Sequence, residues 1–389
     1  MTAQIPASYP QPQKQLGHAV NYLTGNHEYD IPKETIDGEI AQLRERLESK
    51  PSFNPSLIFD PEKHLIKTPD VKVFTLHDLK IKKTRVAPVC DFAATYPFPL
   101  LTQEAVDMVL WEALRPEVVE KYGRLPNLAK SATRLDFHIG GHCSRRAPFT
   151  QALWNSAELK ETLENFTKVK MKPLFSAGHF NFSLAEKNAA EPPREELLKK
   201  YSEQRNGDDV PSSLGMHYDS STFALVIMAE LDENAIGGET GIVTGDNKFV
   251  RVPDPKVGSA TLIQGMVLKH VATKPVSNSN RVTAVAGFCV AGPEKLDNSL
   301  LTSVKPSILP RQKYNEFYND WAQFRLTNLA EHISHYREQL KTDDQFDQEE
   351  FIAHCQEMEK YLRKCWDEME AYHNPPYPPR EFHVSYDEL

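Results

Sequence analysis

Between residues 214 and 292, short apolar and β-branched runs alternate with glycine, asparagine and aspartate, and few architectures accept that rhythm. Thr222–Leu231, Glu239–Thr244, Lys248–Val252, Ser259–Gln264, Val267–Val271 and Arg281–Val290 read as strands. Gly237-Gly238, Gly245-Asp246-Asn247, Gly258 and Ser277-Asn278-Ser279-Asn280 punctuate them. The gaps leave no room for crossover helices, so the pattern predicts a sandwich or barrel and not βαβ units. Thr133–Ile139 and Gly178–Leu184 also read as strands, which extends the expected β-rich core over 131–292.

Helical periodicity flanks this core. Ile36, Ile40, Leu43 and Leu47 recur on one helix face, with Pro32 near its start and Pro51 beyond its end. Ala105, Val106, Val109, Leu110 and Ala113 mark a second helix, and Pro116 starts a third. Residues 31–130 are therefore expected to be mostly helical, with 1–30 an extended arm or tail. In 293–389, one stripe runs through Tyr314, Phe317, Tyr318, Trp321, Phe324 and Leu329. Another runs through Phe351, Cys355, Met358, Tyr361, Leu362 and Cys365. Both are expected to pack on the core, and a homodimer through these helices is the competing use. Residues 185–213 are highly charged and poor in large apolar side chains. They read as a polar insertion, either a passive loop or a mobile lid over the site that follows.

Composition narrows the function. The chain of 389 residues carries 45 basic and 54 acidic side chains, a formal net charge of −9. That balance argues against charge-driven nucleic-acid binding. The longest apolar run, Phe223–Ala229, is strand-sized and predicts no membrane span. The polar, proline-rich N-terminus lacks a signal-peptide core. The five cysteines are odd in number and scattered, so free thiols in a reducing, cytoplasmic setting are expected.

The chemistry-bearing residues are His217, Asp219, His270 and Arg281. On an extended strand, positions i and i+2 face the same way, so His217 and Asp219 can meet one metal ion. His270 lies in a later strand that can return beside them. Two imidazoles and one carboxylate leave positions open on a metal, as in non-haem Fe(II) oxygenases. Arg281 and Thr283 again share one strand face, where a guanidinium and a hydroxyl can hold a carboxylate. Arg134, Asp136 and His138 share a face, as do Asn181 and Ser183, and these are candidate pocket residues or plain structural hydrogen-bonders. His138-Ile-Gly-Gly-His142-Cys143 offers metal donors but lacks a second pair at zinc spacing.

With this spacing the sequence resembles the Fe(II)/2-oxoglutarate-dependent oxygenase superfamily. The strand Thr222–Leu231, the turn Gly237-Gly238-Glu239-Thr240 and the run Val257–Ile263 add to the likeness. The resemblance covers Gly215–Gly292 and, more loosely, the strands back to Ser131. It implies a mixed α+β fold with a double-stranded β-helix, or jelly-roll, core flanked by helices. It implies Fe(II) on His217, Asp219 and His270. It also implies 2-oxoglutarate as co-substrate with its distal carboxylate on Arg281 assisted by Thr283, and O2 as oxidant. The expected reaction is oxidation of an unactivated C–H bond of a small organic molecule, by hydroxylation, desaturation or ring formation. Natural-product chemistry and an amino-acid-like substrate fit that expectation. The rival readings are a protein or peptide hydroxylase and a jelly-roll binding protein without turnover.

Overall fold

The computed structural model describes residues 33–68, 70–124, 135–175, 177–185, 189–204, 210–212, 215–253, 255–301, 314–340, 346–367 and 369. The expected arm at 1–30 and Arg134 lie outside the described residues.

Helix α1 (Lys33–Glu48) buries Ile40, Leu43 and Leu47, as the periodicity predicts. It packs on α3 (Gln103–Leu114), which follows the short α2 (Pro61–His64). Helix α3 is buried on most of its circumference because it is sandwiched between α1 and a sheet. Pro116 opens α4 (Pro116–Tyr122), where its missing N–H would have had no helical partner anyway.

The described strands form two antiparallel sheets. The large one takes β1 (Val73–Thr75), β2 (Phe92–Thr95), β3 (Phe98–Pro99), β4 (Gly123–Arg124) and β5 (Leu135–Gly140). It continues with β6 (Met171–Pro173), β7 (His179–Leu184) and β8 (Phe223–Leu231), and with two strands near the site described below. The small sheet takes β9 (Thr240–Val243), β10 (Phe249–Val252) and β12 (His270–Ala272). With β11 (Ser259–Ile263) and β13 (Arg281–Val290), the large sheet reads β1-β2-β11-β8-β13-β7-β5-β4, with β3 on β11 and β6 on β13. The small sheet reads β10-β9-β12. Sequence periodicity missed β1–β4 and β6, because these strands are short and carry no usable alternation. The region 31–130 therefore supplies strands as well as helices.

Alternation along β13 divides the molecule. Val282, Ala284, Ala286 and Phe288 enter the main core with Phe180 and Phe182. Arg281, Thr283 and Val285 point the other way, and Val285 packs against the cluster that joins the two sheets through Ile242, Ala224, Ile263 and Leu268. Three helices interrupt the expected β-rich span: α5 (Cys143–Arg146), α6 (Pro148–Asn155) and α7 (Ala157–Thr167). The buried Glu112 carboxylate accepts Phe149 N–H, Thr150 N–H and the Thr150 hydroxyl, and so satisfies the start of α6.

The insertion carries α8 (Arg194–Glu203), and it is docked. Tyr201 donates its hydroxyl to Glu239 at 2.6 Å, and Arg251 stacks on the Tyr201 ring at 4.1 Å. Those contacts lie on the outer face of the small sheet, so this helix does not hang free over the site. The C-terminal helices α9 (Tyr314–Leu340) and α10 (Gln348–Arg363) divide the two predicted stripes. Phe317 and Trp321 pack on Phe175. Phe351, Cys355 and Leu362 are exposed instead, because α10 docks through Tyr361 and Cys365.

Candidate metal centre and the polar floor behind it

His217 N–H donates to His270 O, and His270 N–H donates back to His217 O, both at 2.9 Å. This two-way bridge holds the imidazoles side by side, with ring centroids 4.5 Å apart. The second histidine sits lower than the sequence suggested. The carbonyl of Gln264 accepts the N–H groups of Val267 and Leu268, making a turn where a strand was expected, and β12 begins only at His270.

Asp219 is two residues beyond His217, and its N–H donates to Gly265 O at 2.9 Å. Its carboxylate lies 3.5 Å from His217 Nε2 and 3.4 Å from His270 Nε2. The ligand-capable atoms all fall within 4.8 Å of one another, and they form the only such group of three or more among the described residues.

The tautomers follow from the backbone. His217 Nδ1 contacts Gly215 O and His270 Nδ1 contacts Leu268 O, both at 2.9 Å. A carbonyl only accepts, so Nδ1 carries the proton in each neutral ring and Nε2 keeps its lone pair toward Asp219. Burial opposes the charge on Asp219, but His270, His217 and His179 outweigh it and hold the carboxyl at about 2. Burial also presses on His217, yet its bond to Asp219 leaves its pKa raised. For His270, burial wins over the pull of Asp219 and the pKa is lowered.

A divalent cation fits this group. Asp219 Oδ2 is buried without a hydrogen-bond partner. A Cβ on Gly265 would collide with the Asp219 carboxylate, so the glycine keeps that carboxylate's space open. Two imidazoles and one carboxylate suit iron and its first-row neighbours.

Behind the centre, strand register lines up a polar floor. One row runs Gly140, His179, Val285, Val226; the next His138, Asn181, Thr283, Met228; the third Asp136, Ser183, Arg281, Leu231. His179 acts electrostatically on Asp219, so its row lies on the metal side. Arg281 is buried, and its Nε donates to Gly238 O at 2.7 Å. Asn181 Oδ1, Ser183 Oγ and Thr283 Oγ1 are buried with no hydrogen-bond partner. The structure thus brings His138, Asn181, Ser183, Arg281 and Thr283 onto one face. His142 and Cys143 sit apart in the core beside Gly178 and Phe180, and burial pushes the Cys143 thiol up to about 12.

Sequence reasoning missed three residues of this site. His179 continues the two-residue period of Asn181 and Ser183. Lys274 continues that of His270 through Ala272, and its ammonium pairs with the Asp136 carboxylate. Both signals were present in the sequence. Gly265 gave none, because its role depends on where Asp219 folds to.

Neither a protein-family model nor a curated protein matches this chain. Among solved structures, it is similar to the non-haem α-ketoglutarate-dependent epimerase SnoN from nogalamycin biosynthesis. That match has 12% identity and a TM-score of 0.36, and covers 51% of this chain and 78% of that one. It is also similar to a Pseudomonas putida prolyl-4-hydroxylase, with 14% identity, a TM-score of 0.30 and coverage of 49% and 89%. The third is HygX from Streptomyces hygroscopicus, a structure with nickel and 2-oxoglutarate bound, at 9% identity, a TM-score of 0.30 and coverage of 48% and 78%. At such TM-scores the chain's own side chains, and not these likenesses, carry the chemistry of the site.

Proposed function

We propose that this chain is an Fe(II)- and 2-oxoglutarate-dependent oxygenase built on a double-stranded β-helix, acting on a C–H bond of a small organic molecule. One observation carries the reading: the His217–Asp219–His270 group stands on the side of the large sheet that also bears a buried Arg281 and the partnerless Thr283 hydroxyl, since Val285 of that β13 face packs on the cluster of Ile242, the partner of His270. His217, Asp219 and His270 would hold iron, and Arg281 with Thr283 would hold the distal carboxylate of 2-oxoglutarate. When bound, iron and its co-substrate supply the activation of O2 that the side chains alone cannot.

The chain's own contribution is placement. The paired His217–His270 backbone bonds fix both imidazoles before any metal arrives, so little ordering remains to be done on binding. The Gly238 carbonyl orients the Arg281 guanidinium through Nε. Surrounding β-strands exclude water from the polar floor, which strengthens each charge-assisted contact there. The ligand side chains are 14%, 18% and 7% exposed, so the centre is largely enclosed yet reached from solvent. A compact substrate of the natural-product or amino-acid kind suits such enclosure, and the side chain of a single peptide residue would suit it too.

The test is anaerobic. Fe(II) titrated into the metal-free protein, followed by 2-oxoglutarate, should give a co-substrate-dependent absorption change. Admitting O2 should then yield succinate. A wild-type protein that binds Fe(II) without any response to 2-oxoglutarate would refute the assignment.

A further inference from the structure

We propose that Lys274 is a second cation of the carboxylate-binding end of this site, and that Asp136 is the counter-charge that limits its strength. The inference rests on the reading of Arg281 as the co-substrate anchor and adds to it a pair of residues from different strands.

The placement comes from two registers. Lys274 lies two residues beyond Ala272, the last residue of β12, in phase with His270 and Ala272, and its ammonium reaches Asp136 on the facing sheet. Asp136, Ser183 and Arg281 occupy one row of the facing sheet. Lys274 crosses between the sheets to reach Asp136, and the two side chains are only 2% and 3% exposed. Gly238 joins the two cations from behind: a Cβ there would meet Arg281 Cδ and Pro275 Cγ, each at 3.4 Å. Arg281 and the residue after Lys274 therefore pack on the same glycine.

Stability does not explain this pair. Taking two ions out of water is costly, and apolar packing of equal volume usually does as well or better. The neighbouring hydroxyls point to a ligand. Ser183 Oγ and Thr283 Oγ1 flank Arg281, their side chains are nine-tenths or more buried, and neither has a hydrogen-bond partner. Buried hydroxyls without partners are rare unless something else completes them. An acceptor that satisfies both, between an arginine and a lysine, is a carboxylate.

Charge then fixes the role of Asp136. Arg281 and Lys274 carry two positive charges and Asp136 one negative charge. The carboxylate of Asp136 holds Lys274 in place and also repels an incoming dicarboxylate. A merely structural ion pair and a ligand-tuning one therefore predict opposite signs for Asp136→Asn. In the tuning case the substitution strengthens co-substrate binding; in the structural case it weakens binding or leaves it unchanged.

The experiment is anaerobic calorimetry with Mn(II) in place of Fe(II), titrating 2-oxoglutarate or 2-oxopentanoate, which keeps the keto-acid end and lacks the distal carboxylate. Lys274→Met should weaken 2-oxoglutarate binding about tenfold or more while leaving Mn(II) and 2-oxopentanoate affinities unchanged. Asp136→Asn should tighten 2-oxoglutarate about threefold or more, with no effect on 2-oxopentanoate. The uncharged pair Asp136→Asn/Lys274→Met should bind 2-oxoglutarate more weakly than the wild type but more tightly than Lys274→Met, because the repelling carboxylate is gone too, and it serves where the single lysine variant strands a buried carboxylate and fails to fold. Equal losses for both keto acids, or weaker or unchanged 2-oxoglutarate binding in Asp136→Asn, would overturn the proposal. Failure of the underlying oxygenase reading would show separately, as wild-type protein that takes up Mn(II) but no 2-oxoglutarate.

Discussion

Gly265→Ala is the sharpest probe of the metal centre, because it touches no ligand chemically. The new Cβ would lie 2.6 Å from Asp219 Cβ and 2.7 Å from Asp219 Cγ, and would collide with Oδ2. Real Cβ atoms do not sit that close, so something must shift. The backbone cannot retreat freely, since Asp219 N–H is bonded to Gly265 O at 2.9 Å. Turning the carboxylate cannot relieve the contact with Asp219 Cβ, so the two backbone segments must be forced apart, which carries Asp219 out of the group it shares with His217 and His270. Gly265 is absent from the residues with left-handed φ, so alanine suffers no backbone strain and the effect is steric. Displacing one of three ligands while keeping its charge nearby should cost about 10- to 100-fold in metal affinity, the range for disturbed supporting contacts. At about 1.4 kcal/mol per tenfold, that is ~1.4–2.8 kcal/mol. Anaerobic Fe(II) titration measures it, with thermal unfolding of the metal-free protein as the control for global damage. Wild-type Fe(II) affinity in a folded Gly265→Ala protein would remove Asp219 from the metal site.

Four further outcomes are expected. His217→Ala, Asp219→Ala and His270→Ala should each abolish turnover and sharply weaken Fe(II) binding in the same titration; wild-type affinity in all three would end the metal assignment. Arg281→Leu should weaken 2-oxoglutarate about 30-fold or more with metal affinity intact, and Arg281→Lys should recover part of it, because an ammonium lacks the guanidinium fork; calorimetry decides. Glu112→Ala should destabilise the fold by about 2–3 kcal/mol, since it strands buried donors of Phe149 and Thr150; denaturant unfolding with an unchanged midpoint would contradict that accounting. Alkylation of the native protein followed by mass spectrometry should label the exposed Cys355 first and spare Cys143 and Cys289, whose thiols burial pushes up; labelling of Cys143 at the rate of Cys355 would contradict the burial.

What the sequence disclosed depended on whether a signal is local. Period-two alternation in Arg281–Val290 predicted that strand's bounds and the shared face of Arg281 and Thr283. The same alternation placed Asn181 beside Ser183, yet nothing local said that these would face Arg281, because register across strands is set by non-local pairing. The Val267–Val271 strand failed for a related reason. Its apolar residues are buried as a strand's would be, but the Gln264 carbonyl captures their N–H groups in a turn. Composition left the polar insertion open between a passive loop and a lid. Its described helix is held by the Tyr201–Glu239 bond and by Arg251, which stacks on Tyr201 and donates to Tyr201 O, Gln204 O and Gln204 Oε1. Composition averages over a segment, and anchoring needs only a few side chains.

The C-terminal helices lie far from the metal ligands in sequence, but they bear on Asp219 through a single carboxylate. Asp297 accepts Asn328 Nδ2 at 2.8 Å and the Tyr361 hydroxyl at 2.5 Å, and Arg325 Nη1 lies 3.5 Å away. Two of those partners come from α9 and one from α10, so the helical pair is pinned to the segment that holds Asp297. That segment then grips the strand entering from the metal centre. Thr222 Oγ1 bonds Asn298 Oδ1 at 3.0 Å, and Leu300 N–H donates to Ser220 O at 3.0 Å, one residue after Asp219. Arg325 and Asp297 are almost wholly enclosed, at 0% and 2% side-chain exposure, so neither charge can leave without stranding the other. The ligand segment is held upstream by Gly215 N–H on Ser212 Oγ and by the His217–His270 bridge, and its downstream side is tied to a buried ion pair. The helical surround therefore acts on the geometry of the metal centre through backbone hydrogen bonds, without contributing a side chain to it.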